Sequence, residues 1–479
     1  MEILIALAAV AALLWASIFV ARGSLIAGCL TFLTVNSCFG FYYFNQRIGP
    51  IEFTLDRLVL VLLAGSYLLN VRFRRHEPKP FSDGDWLVFA LLGWFALRTV
   101  TAPFWETIAG QERPLWHLLI GYIAPLALFW IARQSPLGRK EVRLVHLFLI
   151  GFGVYLGVMA LLEAGHLWGA VFPGHIADPA AGIHYGRARG PMVQSVILGF
   201  FLSICLVCTW IYRQEFGVRG RLLMLGLMLP MLAGVYFTYT RCVWMGALAA
   251  LLLVAALDLA RRSRFVLVTS LAILVVVFAA AKWESLVSGQ GSRDSSAARD
   301  STNMRACFAY VSWQMFLDRP LTGCGFGQYF KEKNAYLSDR STSLRLESIR
   351  HEVHHNLFLS ILVETGVVGL MLYLAVLVRW AREAWRLARD PAVPDWARRH
   401  GMLVLGMLAA YVPNALFQPV GHMNILHMMF FFLGGISSGL YAKMYLGPAA
   451  SGVSRQSITR SQAPAWERTA CEAPPRVGA

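Results

Sequence analysis

Residues 351–378 read HEVHHNLFLSILVETGVVGLMLYLAVLV, and the second part of this stretch decides the fold. From residue 357 onward Glu364 is its only charged side chain. About 20 apolar residues in a helix cross the ~30 Å hydrocarbon core of a bilayer. The run 357–378 therefore predicts a membrane-spanning helix, and three histidines and a glutamate stand directly before it, where water meets hydrocarbon.

Similar apolar runs recur along most of the chain. Of its 479 residues, 57% are hydrophobic and 15% are charged, whereas a soluble domain carries about a quarter charged residues. Backbone groups in lipid must be hydrogen-bonded internally, so the runs are expected to be helices. The sequence thus predicts an all-α, polytopic integral membrane protein with about 12–13 transmembrane helices and one large external loop containing short helices. The predicted spans are 2–21, 24–44, 55–71, 86–104, 117–132, 144–164, 191–212, 222–240, 242–260, 265–281, 357–378, 401–420 and 425–442.

The net charge of +16 comes largely from short basic clusters between these spans. Such clusters mark cytoplasmic loops, which favours a membrane topology over nucleic-acid binding. They lie two spans apart, so the segment 282–356 is predicted on the opposite face. If 2–21 and 24–44 both span the membrane, the amino terminus lies outside. That orientation is unusual, so one of the two segments is a candidate re-entrant or peripheral helix. The clusters fall at 72–75, 133–143, 213–221, 261–264 and 379–399.

Four regions follow from this topology. Residues 1–281 are the first part of a membrane domain, and 282–356 are the large external loop. Residues 357–445 complete the membrane domain. Residues 446–479, rich in Ser, Arg, Ala and Pro, are predicted to be a disordered cytoplasmic tail.

The large loop is expected to contain one amphipathic helix. It is predicted to begin at about Asn303, capped by Ser301 or Thr302, and to end before Pro320. Its apolar face is expected to contain Met304, Cys307, Phe308, Val311 and Met315. A glycine-rich turn follows at 323–327. It follows no predicted strand and precedes no helix start, so it does not fit a nucleotide-binding loop. The compartment permits a Cys307–Cys324 disulfide without requiring one.

The HEVHH segment fits the H-E-x-x-H pattern of zinc proteases. On a helix, His351 and His355 would share one face as zinc ligands, with Glu352 as the base. A catalytic zinc site also needs a third protein ligand. The nearest candidates are Asp339, Glu347 and Glu364, and none of them stands at an informative spacing from the histidines. A simpler alternative is that these histidines only cap the following helix at the membrane boundary.

Arginines from two distant segments are expected on the same face as the histidines. Arg241 lies between two apolar runs, where a charge is costly and usually faces a cavity or a partner. Arg187 and Arg189 end the loop 165–190, which is also predicted to be external. Guanidinium groups bind phosphate oxygens in bidentate fashion. A phosphate-bearing lipid headgroup is therefore a natural ligand, although a snorkelling arginine is the alternative for Arg241.

Four motifs in order resemble the O-antigen ligase and polymerase superfamily, bacterial membrane glycosyltransferases of the GT-C type. The first is Arg187-Ala-Arg189-Gly190, and the second is Thr240-Arg241-Cys-Val-Trp244. The third is the segment 318–325, DRPLTGCG. The fourth is His355-Asn356, nine residues, then Gly366-x-x-Gly369. Relatives often have an Asn-Pro-Asn-like turn after the first motif, where this chain has Pro191-Met-Val-Gln194, so either Arg187 or Arg189 is the counterpart.

The resemblance implies a metal-independent enzyme without cofactors in the bacterial inner membrane. Its site would face the periplasm, among membrane lipids, and the large external loop 282–356 would be a periplasmic loop. It would move a glycan from an undecaprenyl-diphosphate carrier to an acceptor, lipid A–core for a ligase or another glycan chain for a polymerase, a choice that stays open. A transporter is disfavoured because the ionisable groups gather at one face rather than at the midplane.

The same resemblance assigns roles to site residues. His355 would be the general base, while Arg241 and Arg187 or Arg189 would stabilise the diphosphate. His354 would orient His355 or contact the diphosphate. Glu364 is expected to be structural or to orient a site histidine. The structural motif residues are Asn356, Gly366 and Gly369.

Overall fold

The computed structural model describes residues 23–48, 51–75, 77–106, 113–258, 269 and 295–446. The predicted spans 2–21 and 265–281, apart from residue 269, lie outside this part of the chain, as does the tail after residue 446. The elements in chain order are α1 (Leu25–Cys38), β1 (Asn45–Ile48), β2 (Ile51–Thr54), α2 (Leu55–Arg72), α3 (Asp83–Val100), α4 (Pro114–Gln134, with a π-helical turn at Leu119–Ile123), α5 (Arg139–Ala164), α6 (Ser195–Tyr212), α7 (Val218–Phe237), α8 (Arg241–Asp258), α9 (Ser295–Asp318), α10 (Tyr329–Glu332), α11 (Leu357–Arg389), α12 (Asp395–Phe417) and α13 (Asn424–Tyr445).

Eight helices of the described chain, α4–α8 and α11–α13, are long and apolar enough to cross a bilayer. The protein is therefore an all-α polytopic membrane protein, as the composition predicts. The only strands in the described ranges are β1 and β2, a short antiparallel hairpin pairing Asn45 with Thr54 and Ile48 with Ile51. Helices α2 and α3 have 18 residues each, but charged residues lie near both ends of each helix.

The first described helix departs from its prediction. The apolar composition predicts a span over 24–44, yet α1 has only 14 residues. At about 1.5 Å per residue it covers roughly 21 Å, less than the hydrocarbon core. The chain then turns into the hairpin, so the expectation that one of the first two segments is not a full span fits α1.

Ion pairs gather several basic clusters at one end of the bundle. Arg213, after α6, pairs with Asp258 at the end of α8 at 3.0 Å. Arg399, in the first turns of α12, pairs with Glu215 after α6. Arg139, at the start of α5, lies 4.0 Å from the same carboxylate. We call this the basic end, and its composition agrees with the alternating topology predicted from charge.

The opposite end, which we call the site end, carries the loops 165–194, 238–240, 319–356 and 418–423. Helix α9 packs there against α11. Its predicted apolar face is confirmed, because Cys307, Phe308, Val311 and Met315 are buried. Its predicted start is wrong, since the helix begins at Ser295 and neither Ser301 nor Thr302 is a cap.

The cysteines of this region do not form the disulfide that the compartment permits. Cys307 and Cys324 are both free thiols. The Cys307 sulfur lies 3.6 Å from the carbonyl oxygen of Arg345, within the buried core under α9.

Candidate functional site

His355 lies in non-helical backbone directly before α11. Its Nδ1 is 2.7 Å from the carbonyl oxygen of Val353. A carbonyl only accepts hydrogen bonds, so Nδ1 carries the proton and the lone pair is on Nε2. No hydrogen bond to Nε2 is formed within the described part of the chain. The next residue, Asn356, caps α11 by accepting from the Leu359 N–H at 3.0 Å. The backbone thus holds His355 as the tautomer that a general base requires.

His354 is buried and locked in the opposite tautomer. Its Nδ1 accepts from the Asn356 N–H at 3.0 Å, so its Nε2 carries the proton and donates to the Ser312 hydroxyl at 2.7 Å. The Tyr329 ring packs edge-on against the imidazole, with centroids 4.9 Å apart. Burial, with His355 and Lys333 nearby, lowers the pKa of His354 to about 3. Both ring nitrogens are occupied, so His354 positions the backbone of its neighbours.

Lys333 supports the same segment from below. Its side chain is fully buried, and its ammonium donates to the carbonyl oxygens of Ile349, at 2.6 Å, and of Glu352. It also lies over the Phe330 ring, 4.2 Å from the centroid. Burial lowers the pKa of Lys333 to about 8. No local sequence pattern singles out this lysine, because its partners are carbonyl oxygens 16 and 19 residues away.

The third and fourth motifs form one backbone unit. The N–H groups of Cys324 and Gly325 donate to the carbonyl oxygens of Val363 and Glu364, each at 2.9 Å, where α11 is kinked. The kink centres on Gly366, whose φ of +71° lies in the left-handed region. A Cβ there would collide with the carbonyl oxygen of Leu321. Glycine is required because backbone approaches backbone.

Glu364 holds the glycine-rich turn against α11. Its carboxylate accepts from the N–H groups of Gly327, at 3.0 Å, and Tyr329, at 3.4 Å. Tyr329 in turn contacts His354. Glu364 therefore supports the histidine segment indirectly. Gly369, one turn beyond the kink, leaves room for the side chains of Thr365 and Trp94.

Arg187 and Arg189 differ in their surroundings although they are two residues apart. Arg189 is buried, and its guanidinium donates to the carbonyl oxygens of Ala181 at 2.5 Å, Ile176 at 3.0 Å and Asp178 at 3.2 Å. The Glu163 carboxylate accepts from the Arg189 and Gly190 N–H groups at 3.0 and 2.7 Å.

Arg187, by contrast, is exposed at the site end. Only this arginine of the pair presents its guanidinium to solvent.

The loop that carries Arg187 is bonded to the turn before Arg241. The Ala188 N–H donates to the Phe237 carbonyl oxygen at 2.9 Å. The Ser195 and Thr240 hydroxyls lie 3.3 Å apart in the same region. Arg241 is the first residue of α8 and is exposed. The first and second motifs therefore meet at the site end.

His184 connects the arginine loop with the histidine segment. Its φ of +59° turns the chain immediately before Arg187. Burial lowers the pKa of His184, and the nearby guanidinium of Arg187 lowers it further. His355 also acts on the pKa of His184, so the arginine loop and the histidine segment border the same region.

Arg305 on α9 is a site-end cation that the sequence analysis missed. Its guanidinium lies 5.6 Å from the centroid of the Phe417 ring. It also acts electrostatically on the thiol of Cys242, the residue after Arg241. Arg305 is exposed. The apolar pattern of α9 does not indicate a role for Arg305. The sequence feature that could have indicated one is a single arginine beside the apolar face.

The zinc alternative fails on backbone geometry. Residues 351–356 are turn and extended chain, so His351 and His355 do not share a helical face. Among the described residues, no group of three or more His, Cys, Asp or Glu side chains could hold a metal ion.

An apolar cavity of about 560 Å³ lies beside the arginine loop. Its walls include Phe32 of α1, Ile120 of α4 and Ile197 of α6. Its lining also contains charged and amide side chains, among them Asp56, Arg57 and Gln194. This combination suits an amphiphilic molecule rather than a small polar one.

The family comparison agrees with this geometry. The family model described as O-Antigen ligase matches residues 226–374. This match supports the resemblance to the O-antigen ligase superfamily. The matched segment contains Arg241, Arg305, His355 and the paired glycines, whereas Arg187 and Arg189 precede it. No curated protein matches the chain.

Proposed function

We propose that the protein transfers a glycan from an undecaprenyl-diphosphate carrier to an acceptor hydroxyl, as an O-antigen ligase does, at the periplasmic face of the bacterial inner membrane. The acceptor in this proposal is lipid A–core. The observation that carries it is the tautomer of His355, whose unprotonated Nε2 lies on the same end of the bundle as Arg187 and Arg241.

The chemistry follows from these groups. The acceptor oxygen attacks the anomeric carbon of the donor, while the bond from that carbon to the diphosphate oxygen breaks. The diphosphate leaves with the bonding electron pair, and His355 Nε2 takes the hydroxyl proton. Cations must stabilise the charge that develops on the diphosphate. Arg187 and Arg241 serve this purpose, and Arg305 is added from the geometry.

Other polar groups near His355 and the arginine loop receive supporting roles. Arg189 is assigned to loop support instead of diphosphate binding, because three carbonyl oxygens already surround its guanidinium. His354 and Lys333 hold the backbone that presents His355. The apolar cavity beside the arginine loop is suited to the hydrocarbon part of a lipid-linked substrate.

The decisive experiment compares a deletion strain with strains carrying wild-type protein or His355→Ala. Full-length glycan chains that accumulate on the lipid carrier without reaching lipid A–core support a ligase. Single repeat units instead would identify a polymerase that uses the same site. Normal transfer by membrane-inserted His355→Ala would contradict the general-base assignment.

A further inference from the structure

Helix α9 has a second apolar face, opposite the one that packs on the core. Ala306, Ala309, Trp313 and Leu317 recur at intervals of three or four residues, and all four are exposed. Trp313 and Leu317 are 55% and 53% exposed, and Leu321 in the following turn is 64% exposed. We call these five residues the apolar stripe. A contiguous exposed set of this kind usually marks a contact surface.

The turn at the end of the stripe lies beside the kink of α11. The Val367 N–H donates to the Pro320 carbonyl oxygen at 2.9 Å, and Leu321 contacts the backbone of Gly366. From α3, the Arg98 Nε donates to the Thr322 carbonyl oxygen at 2.8 Å. Leu321 is therefore at the same height along the bundle as Gly366.

The length of α11 gives that height relative to the membrane. The helix has 33 residues and carries its arginines from Arg379 to Arg389 at the basic end. A hydrocarbon core takes about 20 helical residues. A core beginning at Arg379 reaches to about residue 359, so Gly366 and Leu321 lie inside it.

The stripe also adjoins exposed apolar residues on α11, which is long enough to cross a bilayer, and on α3. Next to Gly366, Val368 and Met371 of α11 are 36% and 60% exposed. Leu97 and Val100, on either side of Arg98 in α3, are 48% and 57% exposed. A lipid leaflet that covers these exposed apolar residues would also reach the stripe.

We infer that the apolar stripe is inserted among the acyl chains of the bilayer leaflet at the site end. Helix α9 then lies at the membrane interface, with Trp313 where the amphipathic indole is favoured. Arg305 and Arg319 stand near the two ends of the stripe, within reach of lipid headgroups. This inference concerns the bilayer alone and does not depend on the proposed glycan transfer.

Spin labels on the full chain in nanodiscs of phosphatidylethanolamine and phosphatidylglycerol test the inference. Labels are placed at Leu317→Cys and Leu321→Cys after Cys324 and Cys471 are changed to Ser. The other native thiols are all buried. Met371→Cys is the lipid-facing control, and Ser343→Cys, on an exposed loop position, is the aqueous control. Power-saturation spectroscopy compares collision with oxygen and with a water-soluble nickel chelate.

The stripe labels should match the Met371 label, with frequent oxygen collisions and at least several-fold fewer nickel collisions than the Ser343 label. Nickel access equal to that at Ser343 would overturn the inference. So would protection from both reagents, which would mean that protein covers the stripe. Trp313→Cys supplies a second site on the stripe if Leu321→Cys does not yield a monodisperse protein.

Discussion

The Ala188 N–H donates to the Phe237 carbonyl oxygen at 2.9 Å, so one backbone hydrogen bond joins the two arginine motifs. The residues on either side of Ala188 have opposite environments. Arg187 faces solvent and Arg189 is buried among carbonyl oxygens. Two variants of similar chemistry should therefore fail in different ways.

Arg187→Gln should lower the rate of glycan transfer by about 10²–10³-fold, the usual loss for one group that stabilises transition-state charge. Its melting temperature should stay unchanged, because exposed substitutions alter stability by only about 0.5 kcal/mol. Transfer is measured with purified protein in vesicles, and unfolding by intrinsic fluorescence. Full activity would show that Arg187 does not contact the diphosphate.

Arg189→Gln should destabilise the protein, because the carbonyl oxygens of Ala181, Ile176 and Asp178 lose their guanidinium donor and each buried acceptor left unpaired costs about 1–3 kcal/mol. The melting temperature should fall clearly below that of Arg187→Gln. Arg189→Lys keeps the charge but cannot reach three carbonyl oxygens together, so an intermediate melting temperature is expected. A variant that melts normally yet transfers no glycan would instead assign Arg189 to the reaction.

Acidification should lower the stability of the protein, because the folded state keeps the buried His354 neutral. Its pKa falls from 6.5 to about 3 on folding, so between those values the unfolded chain binds the extra proton. Stability is therefore lost as the pH drops below about 6.5, and this loss continues toward pH 3. Melting temperatures from pH 4.5 to 7.5 should vary less in His354→Gln than in wild type. Equal slopes would mean that His354 is accessible to protons.

Gly366→Ala should abolish transfer and lower the melting temperature. The left-handed backbone costs an alanine about 1–2 kcal/mol, and the added Cβ meets the Leu321 carbonyl oxygen. Gly226→Ala in α7 is the matched control, since its Cβ meets nothing within 4 Å. That change should be neutral or stabilise by about 0.5–1 kcal/mol. An active, stable Gly366→Ala protein would refute the need for this kink.

Transfer should persist in excess EDTA, because the proposed reaction uses a histidine base and arginines. The assay is initial rate with and without chelator in the same vesicles. Loss of activity that zinc restores would bring back a metal-dependent mechanism, with ligands other than a helical HEVHH.

Hydropathy predicted most of the described helices because a chain in lipid has few ways to satisfy its backbone. It misjudged α1, since the run of aromatics at 41–44 is as apolar as a span yet follows the helix end at Cys38. Hydropathy depends only on the polarity of the side chains, whereas the end of a helix depends on local backbone geometry.

The candidate site could be predicted only where a single residue type limits the chemistry. His355 and Arg241 stood out because an ionisable group close to hydrocarbon is costly and therefore uncommon. Arg187 and Arg189 could not be separated, because two arginines two residues apart differ only in how the turn directs them. Lys333 and Arg305 depend on contacts with residues distant in sequence, which no local pattern encodes.

The number of residues between Asn356 and Gly366 sets the rotation of one position relative to the other around the helix axis. Asn356 starts α11 and Gly366 fixes it to the glycine-rich turn, with nine residues between them. Each helical residue adds about 100° of rotation and 1.5 Å of rise. One inserted residue would swing His355 more than a quarter turn around the helix axis while leaving every side chain intact. The direction of the His355 side chain thus depends on the number of residues between Asn356 and Gly366.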